Sequence, residues 1–259
     1  MQLATWNVNS LAVRLPQLLD WLSAHPVDAL VLQETKLTDD KFPAAELAAA
    51  GWQAAWFGQK TYNGVALLAR TGPSDVVRNI PGFGDEQARV IAATVDGPGG
   101  PIRVLNGYFV NGQAPESDKF AYKMKWLDGL EAWLRDELAR HERLVLLGDF
   151  NIAPEDRDSY DPVGLAGTIH HTDAERAHFR ALLGLGLADS FRLFEQPPRS
   201  WTWWDYRNLA FRRNQGLRID HVLVSAGLVP RVAGCTIDKA PRKNERPSDH
   251  APVIVTLAD

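Results

Sequence analysis

Several apolar runs of this 259-residue chain end on side chains able to do chemistry: Asn7, Glu34, Tyr108, Asp149 with Asn151, Asp220, and the pair Asp249–His250. The central one reads Leu144-Val145-Leu146-Leu147-Gly148-Asp149-Phe150-Asn151-Ile152-Ala153-Pro154. Its apolar part has no alternation, as in a strand buried on both faces. Asp149 and Asn151 are two apart, so on an extended backbone they point the same way from the rim of a sheet. A carboxylate and a carboxamide there suit a metal, a water or a phosphate, although the same pair also suits an Asx-type turn. One strand-end carboxylate means little alone. Strands of one sheet can end at one edge, however, so repeated cases point to a shared site.

The combined set holds carboxylates, carboxamides, one tyrosine and one Asp/His pair. Hard oxygen ligands without cysteine favour magnesium, or manganese, over zinc. Such an ion holds a phosphate and neutralises charge in phosphoryl transfer. Asp149 could then orient or deprotonate a water, with Asn151 and Tyr108 donating hydrogen bonds to phosphate oxygens. No P-loop or dinucleotide glycine fingerprint occurs at these strand ends, which weighs against nucleotide-triphosphate and nicotinamide chemistry.

The elements positioning these residues follow from periodicity. Strands are expected at 2–8, 27–32, 52–57, 64–70, 89–95, 102–110, 144–147, 200–206, 217–225, 230–238 and 252–257. Asn63-Gly64 is a hairpin signal. Helices are expected at Arg14 to Ala24, with Ser10 able to cap the start, at Phe42 to Ala50 before Gly51, at Glu116 to Arg140, and at 173–185. The third of these carries an apolar stripe of Phe120, Met124, Leu127, Leu130, Leu134 and Leu138. Residues 155 to 172 read as a loop rich in Asp, Pro and Gly. Interleaved β and α elements, with some strands joined by hairpins, imply one mixed-sheet α/β domain over residues 1–259 rather than an all-parallel Rossmann fold.

A composition of 45% hydrophobic and 23% charged residues is that of a globular domain. Cys235 is the only cysteine, which excludes a disulfide framework and fits a reducing compartment. Without a basic-then-apolar N-terminus or a span of membrane length, a cytoplasmic protein with no membrane partner is expected, with monomer as the default. A net charge of −4 does not exclude a nucleic-acid partner, because binding depends on where the charge lies.

The segments Trp6-Asn7-Val8-Asn9, Leu32-Gln33-Glu34-Thr35-Lys36, Asn106-Gly107-Tyr108, Gly148-Asp149-Phe150-Asn151, Leu217-Arg218-Ile219-Asp220-His221 and Ser248-Asp249-His250-Ala251-Pro252 occur in that order. Together they closely resemble the exonuclease III family of DNA repair nucleases, which includes AP endonucleases. Gly58-Gln59-Lys60, Asn63 to Leu68 and Trp204-Asp205-Tyr206-Arg207 match too, so the resemblance spans essentially the whole chain. It implies a four-layered, deoxyribonuclease I-like α/β sandwich, with two mixed sheets face to face and helices outside. It also implies a magnesium-dependent phosphodiesterase acting on duplex DNA with abasic sites, nicks or blocked 3′ ends.

Carried over by position, Glu34 is the main metal ligand, with Asn7 and Asp249 near the ion. Asp149 activates the attacking water or manages the leaving-group proton, and Asn151 positions that water. Tyr108 contacts the phosphate, and His250, oriented by Asp220, stabilises it. Trp203, Leu217 and Ile219 match the apolar pocket for a flipped abasic sugar, the easiest nucleotide to extrude. Arg207 and Asn111 join the substrate-binding set.

Within the family, some members cut abasic sites internally, whereas others clean blocked 3′ ends or act as 3′→5′ exonucleases. The 155–172 loop, which faces the DNA, varies between them. Here it carries His170, whose imidazole could obstruct a continuous strand while admitting a nicked end, biasing the protein toward 3′-end processing. Two alternatives stand beside this reading. One is a phosphodiesterase of the same fold acting on inositol phosphates or phospholipids. The other, a non-catalytic DNA-binding module, predicts losses among Glu34, Asp149, Asn151, Asp220 and His250, and none is lost.

Overall fold

The unbroken apolar runs become strands covered on both faces, arranged in two six-stranded sheets. In the computed structural model, which describes residues 1–258, the first sheet contains Gln2–Asn7 (β1), Ala29–Gln33 (β2), Gln53–Phe57 (β3) and Val65–Ala69 (β4). The second contains Ser74–Arg78 (β5), Val90–Val95 (β6), Ile102–Tyr108 (β7), Leu144–Asp149 (β8), Leu187–Asp189 (β9) and Asp220–Ser225 (β10). Val232–Ile237 (β11) and Val253–Leu257 (β12) return to the first sheet. The orders are β11-β12-β1-β2-β4-β3 and β5-β6-β7-β8-β10-β9. In each sheet the third and fourth strands of that order, β1–β2 or β7–β8, are parallel, and the other pairings are antiparallel.

Each parallel pair is joined through a helix on the outside of its sheet. Leu11–Ala24 (α1) connects β1 to β2, and with Ala44–Ala49 (α2) it covers one outer face. Asp118–Arg140 (α3) connects β7 to β8, and with Asp173–Gly184 (α4) it covers the other. Between the sheets, Leu3, Val31 and Val255 of one pack against Val104, Val145, Leu147 and Val222 of the other. The alternate residues Leu144 and Leu146 face the helices. Strands sandwiched in this way have no polar face, which is why their sequences do not alternate. The result is the expected four-layered α/β sandwich.

Some local expectations differ from the structure. Residues 200–206 do not form a strand; Trp203 makes only isolated bridges to Leu217 and His250. The edge strands β5 and β9 carry little apolar pattern and escape sequence reading. Helix α1 starts at Leu11, and the Ser10 side chain makes no capping bond. Instead the Ser10 and Leu11 N–H groups donate to the carbonyls of Glu34 and Thr35 at 2.8 and 3.0 Å, tying the helix start to the end of β2. Asn63 and Gly64 both adopt positive φ, but within a longer loop between β3 and β4 rather than a two-residue turn. On α3 the buried face runs through Lys123, Trp126, Leu127, Leu130, Trp133, Leu134 and Glu137, while Phe120, Met124 and Leu138 lie at its margin.

Candidate active site

Registers bring the functional strand ends to one rim. Asn7 pairs with Gln33 at the ends of parallel β1 and β2, and Tyr108 pairs with Asp149 at the ends of β7 and β8. Asp220 opens β10 directly opposite Asp149. Gly107 and Gly148 are register partners, and Gly148 has φ of 149°. A Cβ there would lie 2.0 Å from the Gly107 carbonyl oxygen, so only glycine lets β8 approach β7 this closely just before Asp149. Beneath the rim, the buried Asn106 carboxamide donates across the sheets to the carbonyls of Leu32 and Ala66 at 2.8 and 2.9 Å. It also accepts from Gln33 at 2.8 Å. This bridge fixes one sheet against the other under the site.

Asp149 is the hub. One carboxylate oxygen accepts from Asn7 Nδ2 at 2.9 Å and lies 3.7 Å from His250 Nε2; the other accepts from the Asn151 N–H at 3.0 Å. Burial, aided by the nearby Asp220 and Glu34 carboxylates, pushes its pKa up to about 7 against the opposing pull of His250 and Asn7. His250 Nδ1 donates to Asp220 at 2.9 Å. Burial would discharge this imidazole, but the Asp220 and Asp149 carboxylates raise its pKa to about 10. The site therefore places an imidazolium beside a carboxylate that exchanges its proton near neutrality.

Glu34 stands at the rim, partly exposed at φ 53°, with one oxygen accepting from Tyr108 Oη at 3.0 Å and Lys36 Nζ 3.7 Å away. Tyr108 stays protonated, because burial and the Glu34 and Asp149 carboxylates hold its pKa well above the usual tyrosine value. Asp249 accepts from Asn9 Nδ2 and Trp203 Nε1, both at 2.9 Å. Burial alone would raise its pKa, but His250 and these two donors hold it below the usual carboxylate value. Asn9 also ties Asp249 to Asn7, donating its N–H to Asn7 Oδ1 at 2.9 Å. Asn151 Nδ2 donates to the Phe109 carbonyl at 3.0 Å, and Asn111 Nδ2 reaches Asn151 Oδ1 at 3.3 Å.

Two groups of donors suit a cation. Ligand atoms of Asp149, Asp220 and His250 lie within 4.8 Å of one another. There the His250 Nδ1 already donates to Asp220 at 2.9 Å, so an ion would have to displace the imidazole proton. Glu34, by contrast, is a partly exposed oxygen donor whose charge, with that of Asp220, adds to burial in raising the Asp149 pKa. Hard oxygen donors with excess charge fit a hard divalent ion.

Beside the carboxylates lies a cavity of about 280 Å³, whose lining includes Trp203, Leu217, His170, His171 and Arg207. Ile219 is buried beneath it against Leu217 and Ala153 rather than lining it. His170 is not an exposed loop residue: it is 9% exposed, with φ of 71° and Nδ1 donating to the Asn151 carbonyl at 2.7 Å. Burial and the Lys123 charge lower its pKa to about 3, so the ring is neutral. Arg207 is exposed and turns back onto its own Asp205. A larger groove of about 850 Å³, bordered by Arg157, Tyr160 and Arg192, contains none of the converging side chains. Sequence reasoning assigned no role to Asn9, Lys36 or Lys123, although Asn9 and Lys36 lie two residues beyond Asn7 and Glu34.

Carboxylates and an imidazolium grouped at the rim of a layered α/β sandwich are the equipment of a metal-dependent phosphodiesterase. Residues 4–250 match the Endonuclease/Exonuclease/phosphatase family. The chain is 34% identical to exodeoxyribonuclease III of Haemophilus influenzae over 266 residues, covering 98% of each protein. It is similar to the structure of the 3′ phosphatase NExo from Neisseria bound to a product DNA hairpin, with TM-score 0.97 and 51% identity over 100% of both chains. It is also similar to an AP endonuclease from Archaeoglobus fulgidus, with TM-score 0.93 and 33% identity over 99% of both. The chain belongs to the endonuclease/exonuclease/phosphatase family, in its exonuclease III/AP endonuclease branch. Among the described residues, no helix is long and apolar enough to cross a membrane.

Proposed function

We propose that residues 1–259 form one cytoplasmic, monomeric domain that hydrolyses phosphodiesters of damaged duplex DNA with magnesium, manganese serving as a substitute. Its substrates are abasic sites, nicks and blocked 3′ ends, and it favours 3′-end processing. The observation that carries this reading is the placement of Asp149. This buried carboxylate, its pKa near 7, lies between Asn7, the Asn151 backbone and the His250 imidazolium, beside the Glu34 carboxylate.

Glu34 would be the main metal ligand, with Asn7 and Asp249 completing the protein's share, and the ion would supply positive charge against the phosphate oxygens. Asp149 accepts the proton of a water aligned by Asn151 or manages the proton of the leaving oxygen, either role suiting a pKa near operating pH. His250, oriented by Asp220, donates to a phosphate oxygen, and Tyr108, turning its O–H from Glu34, supplies a second donor. Trp203 and Leu217 receive the extruded sugar, with Ile219 as the floor beneath them, while Arg207 and Asn111 contact the strand.

His170 sets the bias. Its neutral ring is fixed on the Asn151 carbonyl and lines the cavity, where it narrows the path of a continuous strand while leaving room for a nicked end. The reading is tested with two end-labelled duplexes, one with an internal abasic-site analogue and one nicked with a blocked 3′ end. The wild type should cut the nicked duplex faster, EDTA should abolish both reactions, and magnesium should restore them. His170→Gly should raise internal cleavage relative to 3′-end cleavage by about tenfold or more, the scale of a relieved steric block. Folded protein that cuts neither duplex sinks the assignment, and an unchanged ratio in the glycine variant removes His170 as its determinant.

A further inference from the structure

Helix α3 carries one fully buried cation, Lys123, and α4 one fully buried carboxylate, Glu175, and the two meet in an ion pair. An ammonium has three N–H donors, and here each has an acceptor: Glu175 Oε1, the Asn151 carbonyl at 2.8 Å and the Asn111 carbonyl at 3.3 Å. Glu175 is equally saturated. Oε1 also accepts the His170 N–H at 3.1 Å, and Oε2 accepts the Thr172 N–H at 3.1 Å and its hydroxyl at 2.8 Å. The Asn151 carbonyl receives the Lys123 ammonium and the His170 imidazole together. Asn151 and His170 both have positive φ, 51° and 71°; Asn adopts this region readily, whereas the His170 backbone needs its surroundings to hold it there.

We infer that the Lys123–Glu175 pair is a positioning device for the reaction: it fixes Asn151 and Asn111 by their carbonyls and the His170 loop by its N–H, coupling water alignment to substrate choice. This rests on the proposed roles of Asn151 and His170. Packing two helices does not require such a pair, since an apolar pair of similar volume is often at least as stabilising. Its contacts go instead to the backbone of three site residues on two different loops. If Lys123 is removed, two carbonyls lose a buried donor, and the backbone that carries the Asn151 carboxamide loses its charged anchor. If Glu175 is neutralised, the His170 loop loses its charged acceptor while Lys123 still holds Asn151.

The test uses steady-state kinetics of Lys123→Met and Glu175→Gln on the two duplexes described above, with folding followed by thermal unfolding. Lys123→Met should lower kcat on the nicked duplex about 10- to 100-fold, the effect of a small misplacement of a reacting group, with KM changed less than about threefold. Glu175→Gln should lower kcat by less than about tenfold and shift the ratio of internal to 3′-end cleavage toward internal by about fivefold or more. A purely structural pair would lower the melting temperature and leave kcat of the folded fraction and the substrate ratio unchanged; that result overturns the inference. If Lys123→Met does not fold, Glu175→Gln decides alone, and a wild-type ratio in it is equally fatal. A wild-type protein that cuts neither duplex refutes the functional reading itself, and the inference falls with it.

Discussion

His221, next to Asp220 but turned away from the reacting groups, should make the protein lose stability in mild acid by a calculable amount. Its Nδ1 accepts from Arg218 Nη1 at 3.0 Å and its Nε2 donates to the Ile152 carbonyl at 2.9 Å, so the ring is neutral with its proton on Nε2. Burial and the Arg218 charge lower its pKa from 6.5 to about 4. The unfolded chain therefore binds this proton more tightly than the folded one, and stability falls as pH drops from 6.5 toward 4. Linkage gives a loss of about 2 kcal/mol between pH 7.5 and pH 5.0, reaching about 3 kcal/mol at pH 4. His221→Gln keeps a donor for Ile152 and an acceptor for Arg218 but cannot titrate. In urea unfolding at the two pH values, the wild type should lose about 2 kcal/mol more than the variant. Other titrating groups, such as Asp158 and His170, act in both proteins and cancel. Equal losses in the two proteins would refute the assignment of a buried neutral ring.

Three further perturbations probe the scaffold and the rim. Gly148→Ala drives a methyl group into the Gly107 carbonyl at a backbone angle that favours glycine; chemical denaturation should show a loss of about 3 kcal/mol or more. Asn106→Leu removes the donors to Leu32 and Ala66 and should cost about 2 kcal/mol by the same assay, about 1 kcal/mol for each buried hydrogen bond lost. Tyr108→Phe takes from Glu34 the hydroxyl that orients it; titration of magnesium binding in the absence of DNA should show a roughly fivefold higher Kd, the equivalent of about 1 kcal/mol.

The layers and the rim of the site were legible in the sequence because the same physics writes both. A strand buried on both faces must be continuously apolar, so β2, β4, β7 and β8 announce themselves, and polar residues at their ends have only one edge on which to gather. Elements that bury little leave little trace. Edge strand β5 reads Ser74-Asp75-Val76-Val77-Arg78, mostly exposed, and β9 is three residues long. Residues 200–206 misled in the other direction: Trp203 lines the cavity while Trp201 and Trp204 pack in a small cluster with Ala210 and Ala251, producing a strand-like composition without a ladder. Lys123 and Glu175 were invisible because a charge on an amphipathic helix is read as its solvent face. Only the fold shows that Lys123 meets a carboxylate 52 positions away. The protonation states were also out of reach, since His250, His221 and His170 differ only in which charges surround them.

The central claim is that Asp149 handles the proton of a metal-assisted attack on phosphorus. Its most direct test is the single-turnover rate of Asp149→Asn on the nicked, 3′-blocked duplex in magnesium, with DNA affinity and thermal unfolding measured on the same protein. A folded variant that binds the duplex within a few-fold of wild type and cleaves it about 1,000-fold more slowly or worse is the predicted result. A folded variant that keeps more than about a tenth of the wild-type rate would contradict it, because no general acid or base is worth so little.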